Sequence, residues 1–475
     1  MLFSSLEFLF FFLPLVLTGY FLLKETYRNT FLLLVSLFFY AWGEPDFVLV
    51  MMGVIALDYV LALLIARSRR AAGRGRPWLV LAVVSNIGLL FVYKYLNFFT
   101  RNLAGVFGAG IPVTSIVLPI GISFFIFQAM SYVLDVYRGV VAVQKNPLYI
   151  AMYVSFFPQL IAGPIVRYTT IAKELDNRQV TWDDFSEGVK RFIIGLSKKV
   201  ILANSFAVAA DKAFSLTGNP ALSVGLAWLG AIAYAFQIFF DFAGYSEMAI
   251  GMGRMFGFHF LENFDYPYIA KSISEFWRRW HISLGSWFRD YVYFPLGGSR
   301  VKGKGRLICN LFVVWTLTGI WHGANWTFLA WGLFYFALIA FEKLTGCPGR
   351  FKSGAAKGLY RVFTLLCVLC GWVVFRAESL PGAWTYLRAM LGMGQGALVS
   401  DLFFFYLREL AVLLVFAVLC STRVFVCLRG WWASRGRVLR AVAEGWQVPL
   451  YMGLFLLSVS YLVVGGHNPF IYFNF

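Results

Sequence analysis

The chain has four histidines in 475 residues, and two of them lie where an imidazole could do chemistry. His322 sits in GIWHGANWTF, directly after the apolar run LICNLFVVWTLTGIW. Ionisable groups in such runs are expensive to bury and usually face a cavity or a partner. A neutral imidazole is the least costly of them, and it can serve as a base near neutral pH. The other reading of His322 is a packed histidine bonded to helix backbone. Gly319 and Gly323 flank it closely, which lets a substrate or another helix approach. His281, in EFWRRWHISLG, is the second candidate, with an amphipathic residue at the water interface as its other reading. His259, in GFHFLENFDYP, and His467, in GGHNPF, read as local hydrogen-bonding residues. Four histidines this scattered, with no cysteine or carboxylate at ligand spacing, do not make a zinc site. Neither a G-x-S-x-G elbow nor a P-loop is present.

The segment around His281 is rich in cations. It reads KSISEFWRRWHISLGSWFRDYVYFPLGGSRVKGKGR over 271–306. Ser272 followed three residues later by Glu275 is a capping box, which predicts a helix from Ile273. Phe276, Trp277, Trp280, Leu284, Trp287, Phe288 and Tyr291 recur at helical spacing and form one aromatic face. Arg278, His281, Gly285 and Arg289 form a neighbouring stripe. So charged a segment is a poor membrane crossing and predicts an interfacial helix that lies in the membrane or dips into it. PLGG should end it. Arg278, Arg279, Arg289, Lys302, Lys304 and Arg306 are candidates for holding an anion, because Arg matches phosphate through its fork geometry and Lys as a point charge. Binding lipid headgroups would use the same side chains.

Other polar groups fall within apolar stretches: Asp58, Lys94, Asp135, Asp241 and Glu247. Gln237, Asp241 and Tyr245 lie four apart on one helical face, a polar seam between helices. A proton-coupled transporter would use Asp241, Glu247 and His322 as its path, and a membrane scaffold would use none of them. Cys367 and Cys370 have C-x-x-C spacing but stand in mid-helix without a second ligand pair, so they read as small core residues. Thr181 in TWDDF predicts a helix N-cap with acidic residues in the first turn.

Long helices must position these groups. Hydrophobic residues make up 60% of the chain and charged residues 13%, against about 45–50% and about 25% in soluble domains. Eleven apolar runs approach the ~20 residues that cross a bilayer core: 6–23, 30–42, 47–66, 78–98, 116–137, 192–210, 221–240, 324–341, 358–375, 409–428 and 449–465. The run at 149–166 contains Pro158 and Pro164 and should be broken or re-entrant. The expected fold is all-α: one polytopic bundle over 1–475, with short interfacial helices. The first run lacks a basic flank and a cleavage site and reads as a retained helix. Net charge is +18, which in such a chain signals positive-inside loops and not nucleic-acid binding. ARSRRAAGRGRP at 66–77 holds five Arg and is placed in the cytoplasm, so GEPD at 43–46 falls outside. The two halves do not mirror each other, which disfavours a secondary transporter.

SISEFWRRWHISLGSWFRDYVYFPLGGSR, with GIWHGANWTF some way after it, resembles the membrane-bound O-acyltransferase family, and most closely its bacterial alginate O-acetyltransferase branch. FDFAGYSEMAIGMGRMFGF, ENFDYPY, LPIGISFFIFQAMSYVLDVYRG, FFPQLIAGPIVRY and GWVVFRAESL fit the same branch. These pieces run from about 119 to 380 in this sequence, FSSLEFLFFFLPL near the N-terminus agrees, and 385–475 matches less distinctly. The resemblance implies a ring-like bundle of helices around a thin centre, in the bacterial inner membrane. It implies transfer of an acyl group from a cytoplasmic thioester, acetyl-CoA, to a hydroxyl of an extracellular polysaccharide such as alginate. It also implies a periplasmic partner protein and no further cofactor. The family's near-invariant histidine falls on His322 and its second motif residue on His281. D-alanyl transfer to teichoic acid and peptidoglycan O-acetylation share similar motifs and stay open as rival activities.

Overall fold

The computed structural model of the chain describes residues 1–72, 75–108, 112–161, 163–434 and 445–465. His467 lies outside them. Regular structure among the described residues is helical throughout. All eleven apolar runs carry helix. Among the described residues seven helices are long and apolar enough to cross a membrane: Val48–Arg69, Arg76–Phe107, Trp182–Ser215, Val224–Met255, Trp326–Thr345, Gly354–Arg376 and Asp401–Cys420. Phe8–Leu22 and Gln447–Val463 are apolar but shorter. Glu25–Gly43 and Ile122–Arg138 cover the remaining two runs. A further 19-residue helix, Lys304–His322, was not among the eleven runs, because its first turns are basic and polar.

Local signals set several boundaries. Thr181 Oγ1 accepts from the Asp184 N–H at 3.1 Å, so the expected N-cap is formed. Asn146 caps Pro147–Ser155 by accepting from Leu148 N–H, with Pro at the first helical position where its missing N–H costs nothing. That helix stops at Phe156, two residues before Pro158, and a single turn, Phe157–Leu160, follows. The residue preceding a proline is driven from helical geometry, but here the break falls one residue earlier, at Phe156 (φ −54°, ψ 112°).

The chain divides into two compact units. The first comprises Met1–Phe192 and Tyr245–Leu261, the second Ile193–Gly244 and Glu262–Phe475. In the first unit, Asp58 accepts from the Asn86 amide at 2.8 Å, which joins two apolar helices through a buried polar pair. His259 is held locally: Nδ1 lies 2.8 Å from Glu174 Oε1 and Nε2 3.3 Å from Asp184 Oδ1.

The acidic turn at 43–46 and the arginine-rich segment flank one spanning helix, Val48–Arg69. Opposite ends of a single crossing face opposite sides. Single cysteines at positions 44 and 70, in a cysteine-free background, should therefore label differently in intact spheroplasts, with 44 open to an impermeant reagent and 70 protected. Labelling of 70 alone would reverse the orientation.

The second unit is built around aromatic side chains. Trp331, Trp372, Tyr335, Phe276 and Trp280 are buried together. Trp280 and Trp372 stand 4.7 Å apart between ring centroids, Trp277 and Tyr335 4.8 Å. Helices Lys304–His322 and Trp326–Thr345 form a hairpin over this core. Asn325 starts the return helix by accepting from Thr327 N–H at 3.1 Å. The two helices cross at glycines. A Cβ on Gly332 would lie 2.5 Å from the Trp315 carbonyl oxygen, and one on Gly319 2.6 Å from that of Phe328. Small residues let membrane helices approach at backbone distance. Gly319 thus serves a neighbouring helix, one of the two roles open to it from sequence. Gly332→Leu must push this hairpin apart, at a cost of about 1–3 kcal/mol. A lower thermal unfolding temperature in detergent is the expected reading, and an unchanged one would mean that the helices do not meet here.

Candidate active site

Ser272 caps the helix Ile273–Arg279, its Oγ accepting from Glu275 N–H at 3.1 Å. Glu275 reaches back to the Lys271 N–H at 3.0 Å, one residue beyond the usual capping-box partner, the Ser272 N–H. Glu342, buried on the return helix of the hairpin, accepts from Ile273 N–H at 2.7 Å and Ser274 N–H at 2.8 Å. It also accepts from the Tyr360 hydroxyl at 2.9 Å. Three donors on one carboxylate satisfy two orphan amides of the helix start and hold the short helix against the hairpin.

The single interfacial helix expected across 273–291 is not continuous. It breaks at His281, which has φ +47° and ψ +54°. A second short helix, Ile282–Phe288, follows and passes into a turn of π-helix at Arg289–Tyr293. A non-glycine residue in the left-handed region costs about 1–3 kcal/mol and persists only where its surroundings hold it. Asn263 does so. Its Oδ1 accepts from Ser283 N–H at 3.1 Å and Ser283 Oγ–H at 2.9 Å, and lies 3.2 Å from His281 Nδ1. A backbone N–H can only donate, so the Asn263 atom facing it is the oxygen. The same oxygen then requires a proton on His281 Nδ1, which leaves the lone pair on Nε2. His281 is 2% exposed and lies between the short helices, outside the membrane-spanning segments. Burial pushes its imidazole down to about 3, so it stays neutral across the working pH range.

His322 is the last residue of its helix, with Gly323 following in extended backbone (φ 178°). Its ring stands edge-to-face against Trp321, Trp331 and Phe375, at 5.0, 5.0 and 5.2 Å. Trp321 also lies 6.0 Å from His281, so one indole borders both imidazoles. Gly323 is filled against the Phe328 ring, since a Cβ there would meet it at 2.3 Å.

Both histidines line one cavity of about 390 Å³. Its walls carry Trp277, Trp280, Trp315 and Phe288, with Arg278, Gly285 and Arg289 from the predicted stripe. The stripe therefore faces one space although the helix carrying it is broken. The six cations proposed from sequence divide. Arg278 and Arg289 line the cavity, but Arg289 is already paired, its Nε 2.7 Å from Asp290 Oδ1. Arg279 does not line it, being locked by Glu275 at 2.8 Å and Asp265 at 2.8 Å. Lys302, on the loop before the histidine helix, and Lys304 and Arg306, in its first turn, are exposed and do not line the cavity either. Along a helix rising ~1.5 Å per residue, Lys304 lies about 27 Å from His322.

The polar seam does not join the site as a unit. Asp241 forms a buried ion pair with Lys199 at 2.7 Å, and Lys199 also donates to Asn204 at 2.9 Å. Gln237 is buried one turn earlier on the same helix, and Tyr245 stacks on Phe3 at 4.4 Å. Removing one partner of such a pair strands a buried charge, which gives Asp241 a structural duty. Among the described residues no group of three or more His, Cys, Asp or Glu is placed to hold a metal. Cys367 and Cys370 are free thiols, and Cys367 packs against the aromatic core.

Residues 141–347 match the membrane-bound O-acyltransferase (MBOAT) family, a stretch that contains Asn263, both histidines and the cavity walls. The "Probable alginate O-acetylase AlgI" of Pseudomonas putida is 42% identical over 497 aligned positions, spanning 100% of both proteins. The chain belongs to the membrane-bound O-acyltransferase family. It is an acyltransferase and a multi-pass protein of the bacterial inner membrane. The likeness extends through 385–475, where the motifs alone were indistinct. A "Peptidoglycan O-acetyltransferase" of Helicobacter pylori is 36% identical over 83% of this chain and 80% of its own length. A "Teichoic acid D-alanyltransferase" of Bacillus subtilis is 32% identical over 49% of this chain and 62% of its own.

Sequence reasoning missed Asn263, Glu342 and Lys343, the last of which also lines the cavity. Asn263 had a weak signal, as a polar residue between Leu261 and Phe264. Glu342 and Lys343 read as the charged end of an apolar helix and gave none.

Proposed function

We propose that this acyltransferase takes an acetyl group from acetyl-CoA at the cytoplasmic face and transfers it for O-acetylation of an extracytoplasmic polysaccharide, alginate being the acceptor class named for its full-length relatives. The observation that carries this reading is one cavity bordered by both histidines and by unpaired cations. In the reaction the acceptor oxygen bonds to the acetyl carbon and the C–S bond breaks. The hydroxyl proton passes to His322 and then to the departing thiolate, so thiol and ester are the products. His322 acts as general base. Its place at a helix C-terminus favours the imidazolium that forms, by as much as ~2 kcal/mol where partly buried. His281, neutral and with its lone pair on Nε2, accepts a hydrogen bond from an amide N–H of the donor arm and positions the thioester. Only the small neutral acetyl group passes outward, because the phosphates of the donor would cost several kcal/mol per ion to bury unpaired. A periplasmic partner protein carries or presents the acceptor.

Purified protein in nanodiscs, given acetyl-labelled acetyl-CoA and a soluble alginate oligosaccharide, should release CoA and label the sugar. Labelling from a D-alanyl carrier thioester, with acetyl-CoA inert, would replace this reading by D-alanyl transfer. Labelling of a peptidoglycan fragment and not of alginate would keep the donor and change the acceptor.

A further inference from the structure

The cavity has two cations that form no ion pair or hydrogen bond among the described residues, Arg278 and Lys343. They lie far apart in sequence and belong to different helices. Glu342 brings them to one place: its carboxylate grips the Ile273 and Ser274 amides at 2.7 and 2.8 Å, so the next residue, Lys343, stands beside the start of the helix that carries Arg278. Both side chains are exposed and both line the cavity, which places them where it meets solvent. The wall of the same cavity holds two further donors. Ser274 Oγ and Trp277 Nε1 are shielded from solvent and have no hydrogen-bond partner among the described residues, although both residues line this cavity. A shielded donor without a partner costs about 1–3 kcal/mol. A ligand oxygen arriving there would recover that cost.

We propose that Lys343 and Arg278, with the Ser274 hydroxyl and the Trp277 indole N–H of the same cavity wall, form the subsite for the phosphate groups of the acyl donor. This rests on the acetyl-CoA reading above. The subsite takes a phosphate ester: Arg278 through its planar fork, Lys343 as a compact charge, and the neutral donors on the phosphate or the adjoining amide oxygens. It assigns phosphate recognition to cations that line the cavity, in place of Lys302, Lys304 and Arg306, which do not. A lipid headgroup offers the same chemistry, so the test must separate the two sources.

The measurement is KM for acetyl-CoA and for S-acetylpantetheine, which has the same thioester arm without phosphates, in zwitterionic and in anionic nanodiscs. The Lys343→Gln, Arg278→Gln double variant should raise the KM ratio of acetyl-CoA to S-acetylpantetheine by about tenfold or more, the scale of losing charge-assisted hydrogen bonds. The rise should appear in both lipids, and Lys343→Arg should restore much of it. An unchanged ratio overturns the subsite. So does a KM change that is equal for both donors and confined to anionic lipid, which assigns the cations to headgroups. A wild-type protein that neither binds CoA nor turns over acetyl-CoA removes the donor reading and the subsite together. Turnover of acetyl-CoA with an unchanged ratio removes the subsite alone. Both positions are exposed, so unfolding is not the expected cause of any loss, and a thermal scan of each variant checks this.

Discussion

His322→Ala is expected to lower kcat for acetyl transfer by about 10²–10⁴, the range typical for loss of a general base. The expectation rests on a buried imidazole at the end of its helix, bordering the same cavity as His281. Truncation also removes a ring packed among Trp321, Trp331 and Phe375. The alanine variant should therefore unfold at a somewhat lower temperature. His322→Gln keeps most of the volume and loses the basic lone pair. It should regain stability without regaining rate. If His322 were only a packed ring, stability and activity would fall and recover together. Steady-state rates and thermal scans on the two variants separate these cases, and a His322→Gln enzyme working at near wild-type rate would end the general-base role.

Much of the fold was legible because its signals are local. Apolar length marked eleven runs that all carry helix, and side-chain caps at Thr181 and Ser272 fell where expected. The helix Lys304–His322 escaped the count because polar residues at its start lower its mean hydropathy, while its burial comes from the hairpin that Gly319 and Gly332 allow. The break at His281 could not be read. Phe276, Trp280, Leu284, Trp287 and Phe288 keep helical spacing across it and are buried on both sides. A left-handed histidine leaves no mark in an apolar pattern. What imposes it is Asn263, 18 residues earlier, through the contact with Ser283. The cation set shows the same limit. Composition nominated Arg279 and Arg289 as readily as Arg278, and only the positions of Asp265, Glu275 and Asp290 show which are already neutralised. Lys343 enters the site only because Glu342 beside it binds the amides of residues 273 and 274.

The second large effect should come from His281 and the asparagine that sets its tautomer. His281→Asn tolerates the left-handed backbone better than most replacements would, so it tests the imidazole more than the fold. Loss of donor positioning by about 1 Å can cost roughly 10²-fold in rate, and a fall of this order in kcat/KM is expected. Asn263→Ala should give a smaller loss, since it leaves Ser283 N–H without its acceptor and frees the ring to take the other tautomer. Asn263→Asp is the sharper probe. A carboxylate still accepts from Nδ1–H, so the tautomer and orientation survive at high pH. The negative charge also favours the imidazolium and raises the His281 value from about 3 towards neutrality. Below that raised value Nε2 carries a proton and can no longer accept the donor's amide. The Asn263→Asp enzyme should therefore work near normally at alkaline pH and lose activity as pH falls through the raised value, about 1–3 units above that of the wild type. The wild type should show no His281 limb between about pH 5 and 9, because a group titrating near 3 is already neutral there. A purely structural Asn263 would change stability and leave the shape of the pH–rate profile alone. Superimposable profiles of kcat/KM for the wild type and Asn263→Asp would show that His281 does not act through its Nε2 lone pair.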